Sequence, residues 1–360
     1  MKKIISVLFL CFVITSVTNG QEIVKEGRFN SYNERIVSFL SEYSKKLIKT
    51  HNLSGVILLT QGDKILFHEA YGFASRRYNV PNKLDTKFNL ASASKMFTAV
   101  AIGQMIESGK LSLNDPIGKY LGTDWVSTEV SEKVLIKHLL SHTAGFGNYW
   151  TDEFDRIANT LRSLEDYKPL VSDSLAFEPG TNWEYSNTGY LLLGAIIEKV
   201  SGQSFYKYVQ EKIFNPIGMN NTGFYELDTP IKNLATGYWV DMEDNAKLKN
   251  NTYLHGVRAA SAGGGWSNSL DMFLFMEALI KDKLISAKTR EIFFTPNPLM
   301  KRYGYGFQIR DGWIGHSGGF PGIEAWIRYY PEKDFVLVIL TNYYDSGLEL
   351  IRKLKENFNM

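Results

Sequence analysis

The chain has 360 residues, 44% of them apolar and 22% charged, with 40 Lys plus Arg against 38 Asp plus Glu. That balance fits a globular protein with a large core and carries no electrostatic footprint for nucleic acid or an anionic membrane surface. The single cysteine, Cys11, excludes a disulfide framework and leaves the chain beyond it without a thiolate metal site or a cysteine nucleophile.

Lys2 and Lys3 precede an apolar run, residues 4–17, followed by Thr18, Asn19 and Gly20. This is the layout of a secretory signal peptide over residues 1–20, with cleavage before Gln21. The run is shorter than the ~20 residues a membrane span needs. Cys11 sits in mid-run, where it cannot serve as a lipoprotein junction. The expected protein is exported, periplasmic or secreted, without a stable membrane span after cleavage.

Helical spacing of Ile36, Phe39, Leu40, Tyr43, Leu47 and Ile48 predicts a helix over residues 31–50. Apolar runs at 55–60 and 64–71, separated by Gln61-Gly62-Asp63, predict a β-hairpin. Residues 96–108 are apolar on nearly every face, as in a buried central helix closed by Gly109. Further helices are expected at 134–141, 190–200 and 271–280, the second ended by Gly202 and the third capped by Ser269. Strands return at 305–310, 312–316, 324–330 and 335–342, with a turn at Pro331-Glu332-Lys333-Asp334. A helix at 348–358 closes the chain. The layout is α+β: one antiparallel sheet drawn from both chain ends, flanked by helices. Residues 31–90 and 300–360 would form the sheet part, and residues 91–299 a mostly helical part.

Chemistry concentrates in three places. In Ser92-Ala93-Ser94-Lys95, residues three apart share a helix face, so Lys95 can reach the Ser92 oxygen. A serine needs a base to become a nucleophile, and burial lowers a lysine pKa toward the range where a neutral amine is that base. A second match, Ser204-Phe205-Tyr206-Lys207, reads as a helix start with Ser204 as cap and Lys207 in solvent. Tyr185-Ser186-Asn187 sits on a loop before a helix; a phenol relays protons and an amide orients a substrate or a lysine. His316-Ser317-Gly318-Gly319 lies between strand candidates, where glycines admit a substrate to the backbone. The N–H groups of Gly319 and Ser92 would pair as an oxyanion hole.

In this order the three elements resemble the Ser-x-x-Lys, Tyr-x-Asn and Lys/His-x-Gly motifs of the serine β-lactamase-like family, which includes class C β-lactamases, D-alanyl-D-alanine carboxypeptidases, D-aminopeptidases and esterases. The segments FNLASASKMFTA, LLSHTAGF, PGTNWEYSNTGYLLLG, AGGGWSNSLDM and GHSGGFPG are similar as well, so the resemblance spans roughly residues 53–342. It implies a β-lactamase/transpeptidase-like fold and one hydrolase domain over residues 21–360. Ser92 would be acylated, with Lys95 as its activating partner and Tyr185 as proton relay. Asn187 would position substrate and Lys95, and His316, Ser317, Gly318 and Gly319 would line the substrate cleft. No metal or organic cofactor is implied. The partner would be a small-molecule or peptide substrate, a cell-wall peptide among the candidates. Class C enzymes carry lysine where this chain has His316. A mostly neutral imidazole grips a carboxylate less well, which shifts the expectation from β-lactams toward esters, amides and D-amino-acid peptides.

Three other readings compete. Gly315 to Gly319 spells the G-x-S-x-G of α/β-hydrolases, but no histidine follows Ser317 to complete that triad. His138 and His142 are four apart, yet the Glu of H-E-x-x-H and a third ligand are missing, so both read as structural. The third is a non-catalytic or single-turnover binder on the same fold.

Overall fold

The computed structural model describes residues 19–50, 53–310 and 312–360. The expected leader lies outside them, apart from its last two residues. The chain divides into one compact unit ending at Glu42 and another from Tyr43 to Met360. The first helix runs Asn19–Thr50, twelve residues longer at its start than the periodicity predicts. None of the helices in the described residues is long and apolar enough to cross a membrane.

The second unit is built on six antiparallel strands. Their order across the sheet is Lys64–Tyr71, Gly55–Gln61, Phe335–Thr341, Ile323–Tyr330, Trp313–Phe320 and Gln308–Arg310. Both chain ends therefore contribute, as expected. Phe335–Thr341 is buried at every position, as a central strand covered on both faces must be. Its neighbour begins at Gly55 opposite Thr341. A Cβ at Gly55 would come within 2.1 Å of the Leu340 carbonyl oxygen, so the close pairing there demands glycine. The 55–71 hairpin turns through Gly62 at φ +54°.

On one face Val56, Leu58, Ala325, Ile327, Val336, Val338 and Leu340 join Met96, Phe97, Val100 and Ala101 in the main core. The closing helix Ser346–Phe358 lies against strands Ile323–Tyr330 and Phe335–Thr341. It buries Leu350, Leu354 and Phe358, one stripe at four-residue spacing. The central helix Lys95–Glu107 is buried along almost its whole length and packs on the helix Asn187–Ser201. Gly109 and Gly202 follow these two helices at φ +67° and +70°, the left-handed values that end a helix.

The boundaries depart from expectation at informative places. Asn268, not Ser269, caps the helix Ser269–Ile280, its side chain accepting from the Asp271 N–H. Ser204, as expected, caps Phe205–Val209 by accepting from the Lys207 N–H, and Lys207 is exposed, so the second Ser-x-x-Lys marks a helix start. The middle of the chain also holds short strand pairs, Phe88–Asn89 with Trp266–Ser267 and Tyr238–Asp241 with Lys247–Asn250. Residues 316–319 are not a connector. They lie inside the strand Trp313–Phe320, paired with Ile323–Tyr330.

Candidate active site

Ser92 sits in a 3-10 turn, Ala91–Ser94, that runs directly into the helix Lys95–Glu107. With three residues per turn, a 3-10 segment eclipses positions i and i+3, which sets Ser92 above Lys95. Ala91, just before the serine, has φ +43°. This costly conformation for alanine is held from both sides. Its N–H donates to Asn89 Oδ1 at 2.8 Å, and its carbonyl accepts from the Gly264 N–H at 3.0 Å. A Cβ at Gly318 would lie 2.1 Å from the Leu90 oxygen and 3.0 Å from the Ser92 nitrogen. Glycine there lets the edge of the sheet close on the turn.

Lys95 is fully buried. Its Nζ donates to Asn187 Oδ1 at 2.6 Å and to the Ala262 carbonyl at 2.5 Å, and lies 3.2 Å from Ser92 Oγ. Desolvation holds the amine well below its ordinary pKa. A neutral amine has two N–H bonds and one lone pair. Two carbonyl-type oxygens, which can only accept, take the hydrogens, and the lone pair is left for the Ser92 hydroxyl.

Tyr185 and Asn187 arrive together. Ser186 caps the helix Asn187–Ser201 by accepting from the Gly189 N–H at 3.0 Å, so Asn187 is the first helical residue, not part of a loop. Its Nδ2 donates to Asn148 Oδ1 at 3.1 Å, which fixes Oδ1 toward Lys95. The Tyr185 hydroxyl is buried and near enough to Ser92 to interact, without a well-formed hydrogen bond of its own. Burial raises its pKa and the Ser92 hydroxyl opposes that rise. The Lys95 nitrogen lies 4.8 Å from the centre of the Tyr185 ring.

Behind this ring stands His142, a buried histidine whose role is to hold the backbone on either side of Tyr185. The Glu184 N–H donates to its carbonyl at 3.0 Å and the Ser186 N–H to its Nδ1 at 3.1 Å. Those two bonds bracket Tyr185, and the two rings lie 4.2 Å apart. His138 Nδ1 accepts from the Leu135 N–H, a local capping role. Among the described residues no group of three or more His, Cys, Asp or Glu could hold a metal ion.

Of residues 316–319, expected to line the cleft, only Gly319 does so. His316 is buried and does not line the cleft. Its Nδ1 donates to the Ser317 carbonyl at 2.6 Å, and its Nε2 accepts from the Tyr303 hydroxyl at 3.0 Å. Burial, then the neighbouring Lys95, pushes its pKa down to about 3. Ser317 points to the other face of the sheet, donating to Gln308 Oε1 at 3.1 Å. Alternation along a strand forces that split. Gly318 packs against the Ser92 backbone without lining the cleft, whereas Gly319 lines it, and a Cβ added there would meet open space.

The cleft in front of Ser92 has a volume of about 240 Å³. Ser92, Tyr185, Asn187 and Gly319 line it together with Tyr149, Trp150, Phe154, Tyr167 and Phe320. Among the described residues, none that lines it is Lys, Arg, Asp or Glu. His255, which also lines it, is pushed down to about 4 by burial and so stays neutral near pH 7.

Comparison with known proteins gives concordant matches. The family described as Beta-lactamase matches residues 38–354. Penicillin-binding protein 4* of Bacillus subtilis (strain 168) is 32% identical over 323 residues, covering 81% of this chain and 68% of its own length. The putative penicillin-binding protein PbpX of the same organism is 28% identical, covering 86% and 74%. Among solved structures, the penicillin binding protein from Bacillus halodurans superposes with a TM-score of 0.79 at 30% identity, covering 88% of this chain and 99% of that one.

Proposed function

This chain belongs to the Beta-lactamase family, and from that premise we propose that it is an exported serine hydrolase working through an acyl-enzyme on Ser92. The observation that carries the reading is the Lys95 amine, buried, depressed in pKa, and left with one lone-pair direction, toward Ser92 Oγ. Ser92 Oγ attacks the carbonyl carbon of the substrate while its proton passes to Lys95 Nζ. The N–H groups of Ser92 and Gly319 hold the developing oxyanion. Tyr185, kept a neutral phenol by burial, hands a proton to the leaving oxygen or nitrogen and is resupplied by Lys95. In the second half, water attacks the acyl-enzyme and gives its proton back along the same path.

The substrate side follows from the wall of the cleft. With aromatic faces and no cation in its lining, the cleft suits an uncharged, apolar acyl group better than a carboxylate-bearing one. We therefore assign it an ester, an amide or a D-amino-acid peptide bond with an apolar acyl side. A cell-wall peptide remains among the candidates. Export rests on the charged start, apolar run and small residues of 1–20.

The names of the relatives favour a second reading, a penicillin-recognising protein acylated once. Turnover separates the two. A fluorogenic apolar ester and a D-amino-acid amide should release many equivalents of product, and Ser92→Ala should abolish both turnover and fluorophosphonate labelling. One equivalent of product selects the single-turnover reading. Labelling that persists in Ser92→Ala removes Ser92 from the chemistry altogether.

A further inference from the structure

A second cavity, of about 510 Å³, opens between the sheet edge and the end of the closing helix, on the sheet face that Ser317 reaches. Arg302, Arg310, Arg328, Arg352 and Lys355 line it, and among the described residues no Asp or Glu side chain joins them, although Met360 with its α-carboxylate is also part of the lining. Arg328 is only 7% exposed. Its guanidinium lies 4.2 Å from the Trp313 ring centre and 5.2 Å from that of Trp326, both rings being part of the lining. Its Nε is sealed with no hydrogen-bond partner, and Nη1 donates only to the Tyr330 hydroxyl at a long 3.4 Å. Among the described residues Arg328 forms no ion pair. The acids of the closing helix that approach this region, Glu349 and Glu356, pair with Arg352.

Stacking on two indoles offsets part of the cost of burying a guanidinium. It does nothing for the in-plane N–H donors, which are left without the counter-charge that a buried cation needs. The terminal nitrogens of the guanidinium, unlike the sealed Nε, can meet the oxygens of a carboxylate or a phosphate in the cavity. Leu348 and Ile351 supply apolar walls beside it, and the exposed Arg302 and Lys355 stand at the rim.

We propose that this cavity binds a small organic oxyanion, a carboxylate or phosphate on an apolar body, gripped by Arg328 and steered by Arg302 and Lys355. The site is separate from Ser92 and does not depend on the hydrolase reading.

Calorimetric titration with phenyl phosphate, benzoate and inorganic phosphate tests it on the full chain. Either aromatic anion should bind wild type and Ser92→Ala alike, and bind Arg328→Met at least about tenfold more weakly, as loss of a charge-assisted pair demands. The tighter of the two aromatic anions identifies the oxyanion. If Arg328→Met does not fold, the rim variant Arg302→Gln/Lys355→Gln carries the test, with an expected loss of about threefold or more. The proposal is overturned if neither aromatic anion binds at about 10 mM. It is overturned equally if inorganic phosphate binds more tightly than both, if the folded variants bind like wild type, or if Ser92→Ala loses binding.

Discussion

A lysine ordinarily carries its proton near neutral pH, and a protonated Lys95 could not take one from Ser92. Burial is what changes this. Lys95 is sealed from solvent, faces two neutral carbonyl oxygens and two aromatic rings, and among the described residues forms no ion pair with a carboxylate. Its pKa therefore falls, and the rate should depend on the neutral fraction. We expect kcat/KM to rise with pH along a single ionisation as the amine loses its proton, a limb reporting Lys95. His316 is already neutral above about pH 3, so His316→Gln should leave the midpoint of that limb in place. A limb that moves with His316→Gln would assign it to the imidazole instead. The Ser92–Lys95 spacing was legible because three residues make one turn. The Ala262 carbonyl and Asn148 were not. A backbone oxygen has no signature in sequence, and Asn148 acts only through its contact with Asn187.

At the scale of elements, the join between the sheet and the closing helix rests on Glu324. Its carboxylate oxygens accept from the N–H groups of Gly347 and Leu348, at 2.8 and 3.2 Å, at the start of that helix. Burial still dominates and raises its pKa from 4.5 to about 7. The folded chain thus holds a proton that the unfolded chain releases above about pH 4.5. This contribution to stability is complete below that pH and is lost as pH rises through about 7. Between pH 5 and 8 the wild type should lose up to about 3 kcal/mol that Glu324→Gln does not lose, read as the difference in urea midpoints across pH. Identical pH profiles would show that Glu324 is ionised throughout. Both elements that Glu324 joins were visible as apolar patterns. The strand Trp313–Phe320 was visible only as far as His316, because Gly318 and Gly319 have a low strand preference. Pairing of Ser317, Gly318, Gly319 and Phe320 with the strand Ile323–Tyr330 overrides that local preference. Alternation along that strand turns Ser317 to the face opposite His316, while His316 is kept from the cleft by burial against Tyr303.

Across the whole molecule, Asn342 ties distant segments together just beyond the central strand. Its Nδ2 donates to the carbonyls of Phe73 and Thr236 at 2.9 and 2.7 Å, and its Oδ1 accepts from the Ser54 hydroxyl at 2.8 Å. Asn342→Ala would strand several buried partners at once. We expect a loss of about 2–4 kcal/mol, seen as a lower denaturant midpoint with an unchanged slope. A variant within about 0.5 kcal/mol of wild type would show that these bonds are replaced by water.

Sequence by itself determined what is local: the helical and strand periods, the turn glycines, and the Ser92–Lys95 spacing. It also carried the ordered motifs that mark the Beta-lactamase family. Tertiary structure alone decided which groups meet across long stretches of chain. It brought the Ala262 carbonyl to Lys95 and Asn148 to Asn187, set His142 behind Tyr185, removed His316 and Ser317 from the cleft, and left Arg328 without an ion pair among the described residues. The physical reason is that hydrogen bonding and desolvation depend on distance in space, and a residue's own neighbours along the chain do not encode that distance.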